Sequence, residues 1–342
     1  MIRFLLSRLL KGALVLFLIA IINFLLIRAA PGDPATVMAG EAGAADAVFL
    51  EQLRARFGLD RPLWEQLFLY LKGIATLDLG FSYRQNQTVA SLIGDRLPAT
   101  LLLTGTAFAV SLVLGILAAR RVGRWSDTAI TTAALFFYAT PLFWIALMSQ
   151  IVFALKLGVV PNVGYETIGA GHSGLWRALD IAHHLVLPAM TLGLFFTAIY
   201  ARMMRASMLE VASFDYVRTA RAKGVAPGIV TRRHIARNAI LPVVTLAGLQ
   251  AGQIVGGAVL TETVFAWPGI GRLMFEALAQ RDYQVLLGVF FVSSAMVVLF
   301  NLVTDIVYSF VDPRIEVGAR GPPWHSSFAS FDIVPPRSGC SC

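Results

Sequence analysis

The chain has 342 residues, of which 57% are hydrophobic and only 14% charged, and its mean hydropathy is +0.71. An ordinary soluble domain is about a quarter charged, so this composition excludes a soluble globular domain and points to an integral membrane protein. The net charge of +8 would suggest nucleic acid in a soluble protein. Here the basic residues fall in a few short loops, the pattern that orients a polytopic membrane protein, and no nucleic-acid partner is expected.

A helix that crosses a bilayer needs ~20 mainly apolar residues. Six runs reach that length, at roughly 9–28, 98–119, 129–155, 185–205, 239–261 and 284–310. Each is a continuous apolar run, not the short alternating segment of a membrane barrel strand. The expected fold is all-α: a polytopic membrane protein with six transmembrane helices. The first run follows Arg3, Arg8 and Lys11 and competes with a signal-peptide reading. It is longer than a signal core, and Arg28 closes it in place of a small-residue cleavage pattern, so a retained helix is expected.

Between the first two spans, about 29–97, the chain is too long for a simple connector. It contains "RFGLDRPLWEQLFLYLKGIATLDLG", where Leu63, Leu67, Tyr70 and Leu71 recur at helical spacing. This reads as a small extracytoplasmic helical subdomain, or an amphipathic helix on the outer membrane face. After the fifth span, "TETVFAWPGIGRLMFEALAQRDYQ" reads as a turn at Pro268-Gly269 and a short amphipathic helix, with Phe265 and Trp267 expected at the membrane interface or on a partner surface. The tail from Gly318 is rich in Pro, Ser and Gly and is expected to be disordered. It carries both cysteines, Cys340 and Cys342, which cannot complete a metal site alone.

Orientation follows from Lys and Arg. Arg3, Arg8, Lys11, Arg120, Arg121 and Arg124 share one side with eight more between spans four and five: Arg202, Arg205, Arg218, Arg221, Lys223, Arg232, Arg233 and Arg237. The positive-inside rule makes that side cytoplasmic and places both termini there.

No G-x-x-x-x-G-K-[ST] loop is present, so the chain is not expected to bind ATP by that route. Adjacent His183 and His184 would point about 100° apart on a helix, which suits a polar cap better than a shared metal ion. Glu210 and Asp215 are poorly spaced for a carboxylate pair and read as partners of nearby arginines. Asp305 is the one acid well inside an apolar run, and an intramembrane acid is a functional candidate by default. It lies close to Asp312-Pro313-Arg314, so a polar tie between helices near the cytoplasmic end is the preferred reading. Gln250, Gln253 and Asn301 either knit helices or line a path, and Gly252 and Gly256 share a face suited to close packing. No catalytic or metal site is expected.

Residues 218–242 read "RTARAKGVAPGIVTRRHIARNAILP". Good helix formers run from Ser207 to Lys223, Gly224 suits a left-handed helix end, Pro227 suits the first turn of a second helix, and Pro242 opens span five. A signal for topology alone needs neither the glycine turn nor the second helix.

That stretch resembles the cytoplasmic EAA loop of inner-membrane permeases of binding-protein-dependent ABC importers, in the dipeptide/oligopeptide branch. "APGDPA" at 30–35, "FGLDRPLWEQ", "LDLGFSYR", "RLPATLLLT", "ETVFAWPGIGRL" and "DPRI" carry the resemblance along most of the chain. It implies an N-terminal transmembrane helix over 1–29, an extracytoplasmic helical loop over 30–93, a type-1 permease core over 94–310 with its coupling loop at about 206–238, and a cytoplasmic tail over 311–342. It implies a second homologous permease, two ATP-binding subunits that hold ATP and Mg, and an external solute-binding protein. In that family the loop is the coupling helix that docks on the ATPase. Gly224 stands as the motif glycine, Ala220 as its second alanine, Thr219 in place of the first, and Arg218 where the glutamate would be. The coupling set implied is Asp215, Arg218, Thr219, Ala220, Ala222, Lys223 and Gly224. Peptides are the expected cargo, with nickel, glutathione or another small solute as the alternative. A self-sufficient secondary transporter would be expected to show an inverted repeat, and no convincing one is seen.

Overall fold

The computed structural model describes residues 2–29, 51, 54, 60–118 and 125–311, with the backbone alone for several stretches including 251–257. The expected tail with Cys340 and Cys342, the 30–35 motif and the arginines at 120, 121 and 124 lie outside the described residues.

Helix α1 (Ile2–Ala29) is followed by α2 (Leu63–Ala75) and a two-residue antiparallel hairpin, β1 (Phe81–Ser82) and β2 (Gln87–Thr88). Then come α3 (Val89–Ala118), α4 (Trp125–Ala139), and α5 (Leu142–Ser149), which continues in π-helical turns over Gln150–Lys156. Helix α6 (Gly174–Ala212) precedes the short α7 (Asp215–Ala222). A helical turn at Pro227–Ile229 and π-helical turns over Val230–Ile235 lead without interruption into α8 (Ala236–Val264). Helices α9 (Ile270–Ala279) and α10 (Tyr283–Val311) complete the fold.

Among the described residues, Leu6–Ala29, Val89–Leu117, Gly174–Ala212 and Tyr283–Ile306 are long and apolar enough to cross a membrane. The third expected span is not one helix. Pro141 lacks an N–H and biases Thr140 away from helical geometry, so the chain bends there and α5 starts anew, with Trp144 N–H bonded to Pro141 O at 3.0 Å. Span two starts earlier than expected, at Val89, with Pro98 inside the helix. Helix α6 is also longer than the apolar run. Its 39 residues extend ~58 Å at 1.5 Å per residue, well past the ~30 Å hydrocarbon layer. Pro242 does not open span five; it lies within α8, as membrane helices tolerate.

Lipid is as apolar as leucine, so helices here are held by close packing more than by exclusion of water. The main core joins α3 and α6 through Leu103, Leu192, Tyr200 and Met204, and recruits Val217 of α7, Val243 of α8 and Trp267. A second cluster joins Val89 and Ile93 of α3 to Leu273 and Ala277 of α9 and Val285 and Val289 of α10. Phe265 and Trp267, expected at an interface or partner surface, are instead buried within the chain. An aromatic beside a turn satisfies either pattern in sequence, and packing decides. Helix α1 runs along the margin with Leu10, Leu14 and Leu26 exposed, and α10 holds it through Arg8 Nε to Asp305 Oδ2 at 3.1 Å. Helix α2 stacks Tyr70 on Phe24 and turns Trp64 and Phe68 outward.

Candidate coupling site

Helix α7 is short because both its ends are set by local chemistry. The helix read from Ser207 to Lys223 breaks at Ser213 and Phe214, where Phe214 is extended at φ −71°, ψ 147°. Asp215 sits in the first turn and Arg221 in the last, each sign matched to the helix dipole. At the far end Gly224 takes φ +75°, a left-handed conformation that costs a side chain ~1–2 kcal/mol. Gly224 N–H bonds Arg221 O at 3.0 Å and Val225 N–H bonds Ala220 O at 3.3 Å. This is the doubly bonded glycine cap that satisfies the last carbonyls of a helix.

The helix has two unlike faces. Val217 and Ala220 are buried against the core, whereas Asp215, Arg218, Thr219, Ala222, Lys223 and Gly224 are exposed. Arg232, Arg233 and Arg237, on the following helical segment, are exposed as well. The segment is tied from beneath: Asn238 Nδ2 donates to Tyr216 Oη at 2.9 Å and to His234 O at 3.0 Å, and Tyr216 Oη–H donates to His234 O at 3.3 Å. Arg218 Nη1 lies 3.6 Å from Asp215 Oδ1. Both side chains are largely exposed, and such pairs contribute ~0–1 kcal/mol, so this contact does not fix the helix. Burial and the glycine cap do.

The pathway candidates divide between α8 and α10, which touch where Thr304 Oγ1–H donates to Gly248 O at 3.1 Å. Gln250 is half-buried, and its Oε1 has no hydrogen-bond partner among the described residues. Asn301 is exposed, while Asp305 faces Arg8 of α1. Gln253, Gly252 and Gly256 lie in α8, where the backbone alone is described. His183 and His184 bond to the carbonyls of Val159 and Asp180.

At the opposite end of α8 lies a polar group that the sequence reading passed over. Glu262 has no exposed surface. Its Oε1 accepts the Thr100 hydroxyl at 2.7 Å and its Oε2 accepts Arg272 N–H at 3.0 Å. Trp267 Nε1 donates to Ala99 O at 2.8 Å, and Gln150 Nε2 donates to Val264 O at 3.2 Å and to Asn162 O at 3.0 Å. The neighbouring loop is closed by Arg177 Nε on Glu166 Oε2 at 2.6 Å, and that guanidinium holds the Glu166 carboxyl below the usual carboxylate range. An acid followed closely by an aromatic-Pro-Gly turn was the available signal for Glu262.

Long apolar helices, four of them able to cross a membrane among the described residues, define a multi-pass membrane protein, and the short α7 gives it a buried back and an exposed basic front. Residues 111–317 match the family described as binding-protein-dependent transport system inner membrane component, and residues 1–104 match its N-terminal counterpart. The chain belongs to this family. It is 40% identical over 337 residues to a dipeptide transport system permease protein of Alkalihalophilus pseudofirmus, covering 92% of this chain and all of that one. It is 38% identical to a di/tripeptide transport system permease protein of Pseudomonas aeruginosa, covering 88% of this chain and 94% of that one. A solved methionine ABC transporter in an inward-facing conformation shares the fold at 18% identity, with a TM-score of 0.50 over 65% of this chain and 96% of that one.

Proposed function

We propose that this chain is the permease subunit of an ATP-driven peptide importer. With a second, homologous permease it forms the pathway for peptides that an external solute-binding protein delivers. Two ATP-binding subunits hold ATP and Mg on the cytoplasmic side, where α7 docks and where both termini of the six-span chain lie. Peptide cargo is supported by the relatives named for dipeptide transport.

One observation carries the coupling role: α7 is rigidly seated by Val217 and Ala220 yet presents Arg218, Thr219, Ala222 and Lys223 outward. A docking element needs that combination, because a flexible loop would absorb the displacement that ATPase closure delivers. Gly224 sets where α7 stops, and the helical segment after Pro227 carries the displacement into α8. Gln250 is the pathway-lining candidate best supported by burial, and Asp305 serves as a tie between α10 and α1.

The test is reconstitution. Proteoliposomes holding this chain, its paired permease and the ATPases, with the binding protein outside, take up labelled dipeptide when ATP is supplied within. Uptake of a nickel chelate or of glutathione in place of dipeptide would overturn the cargo reading. Failure of the ATPases to copurify would overturn the coupling reading.

A further inference from the structure

Helix α8 is continuous from the coupling segment to Glu262, and its 29 residues extend ~43 Å at 1.5 Å per residue. What happens at its far end decides where a displacement of α7 is delivered. Helix α9 begins there at Ile270 behind Gly269, which has no capping side chain. The first N–H groups of any helix lack partners within it. In α9 two of them are satisfied from outside: Ile270 N–H bonds Thr100 Oγ1 at 2.8 Å and Arg272 N–H bonds Glu262 Oε2 at 3.0 Å. A carboxylate suits the positive end of a helix dipole. Any side chain at residue 269 would collide with the Glu262 carboxylate. Thr100 lies on α3, so one acid on α8 and one hydroxyl on α3 together cap α9. Arg272 adds a bond from Nη1 to Ala266 O at 2.7 Å and one from Nε to Glu276 Oε1 at 2.7 Å, with Arg96 of α3 at 3.7 Å from Glu276.

We infer that Glu262 is a positioning residue for transport: it fastens α9 and the far end of α8 to α3, so that displacement of α7 arrives there as motion of one block. The inference rests on the reading of α7 as the coupling element. Glu262 acts through α9 and α3; the cargo need not touch it.

The experiment uses the complete reconstituted importer. In Glu262→Ala, ATP turnover stimulated by loaded binding protein stays close to wild type, while dipeptide imported per ATP hydrolysed falls about tenfold, the scale set by buried donors left without a charged acceptor. Glu262→Gln keeps most of the coupling, because its oxygen still accepts from α9 and its amide donates to Thr100. Uptake and turnover falling together at equal reconstituted amounts, or an unchanged ratio in Glu262→Ala, overturns the inference. A second measurement needs neither that variant nor peptide. With Cys340 and Cys342 replaced by Ser, an Ile93→Cys, Leu273→Cys pair within one buried cluster cross-links at the same rate with and without ATP. A rate that changes several-fold between nucleotide states means that α3 and α9 part during the cycle, and the inference fails. Wild-type complex that couples ATPases but imports no dipeptide refutes the peptide reading alone and leaves the cross-linking result standing.

Discussion

The two ends of α8 are built on opposite terms. At the Glu262 end the carboxylate, the Thr100 hydroxyl and the Trp267 indole find their partners within the chain, and Phe265 and Trp267 are sealed by packing. At the α7 end the underside is anchored by Val217, Val230 and Ile235, but the basic front projects outward. The difference teaches which end is finished and which is incomplete. A side chain whose partners are all internal is not free to bind another subunit, and one that projects outward contributes little to its own fold.

The contrast can be broken most forcefully at the finished end. Trp267→Ala removes a fully buried ring and should cost ~3–5 kcal/mol, read as a lower unfolding midpoint of the detergent-solubilised protein. Next comes Gly224→Val, which places a β-branched residue at φ +75° at a cost of ~1–3 kcal/mol. Membrane insertion should be unchanged, and stimulated ATP turnover should fall. Equal turnover in the two proteins would remove Gly224 from the coupling element. Ala220→Leu overfills the seat of α7 at ~1–3 kcal/mol, and it should lower turnover with a smaller change in the unfolding midpoint than Trp267→Ala produces. The smallest stability effect belongs to Arg218→Ala. It deletes an exposed ion pair worth ~0–1 kcal/mol and should leave the midpoint unmoved. A loss of ATPase binding in that variant would locate docking at Arg218.

Much of this was legible in the sequence, because the deciding interactions are local. Apolar length identifies an all-α membrane protein, of whose six expected spans four appear among the described residues as single helices long and apolar enough to cross, and Gly224 announces a left-handed helix end that the backbone adopts. The amphipathic helix after Pro268 is present as α9. What escaped depends on distance or context. The bend at Pro141 is hidden because apolarity continues across it, whereas Pro98, Pro188 and Pro242 sit inside intact helices. Residue type alone does not separate these cases. Glu262 and Thr100 stand 162 residues apart, so no local pattern links the acid to its hydroxyl. Asp305 could be recognised as a tie between helices, but its partner Arg8 could not be named from the sequence.

That last pairing bears on how the molecule is made. Helix α1 leaves the ribosome well before α10, yet it packs chiefly on that helix, and the Arg8–Asp305 contact joins the two. At about 5–20 residues per second, α1 waits in the bilayer for tens of seconds before its companion exists. Through that interval Leu10, Leu14 and Leu26, which face outward in the finished chain, rest against lipid. The ion pair is thus a late clasp, fastened only when α10 arrives.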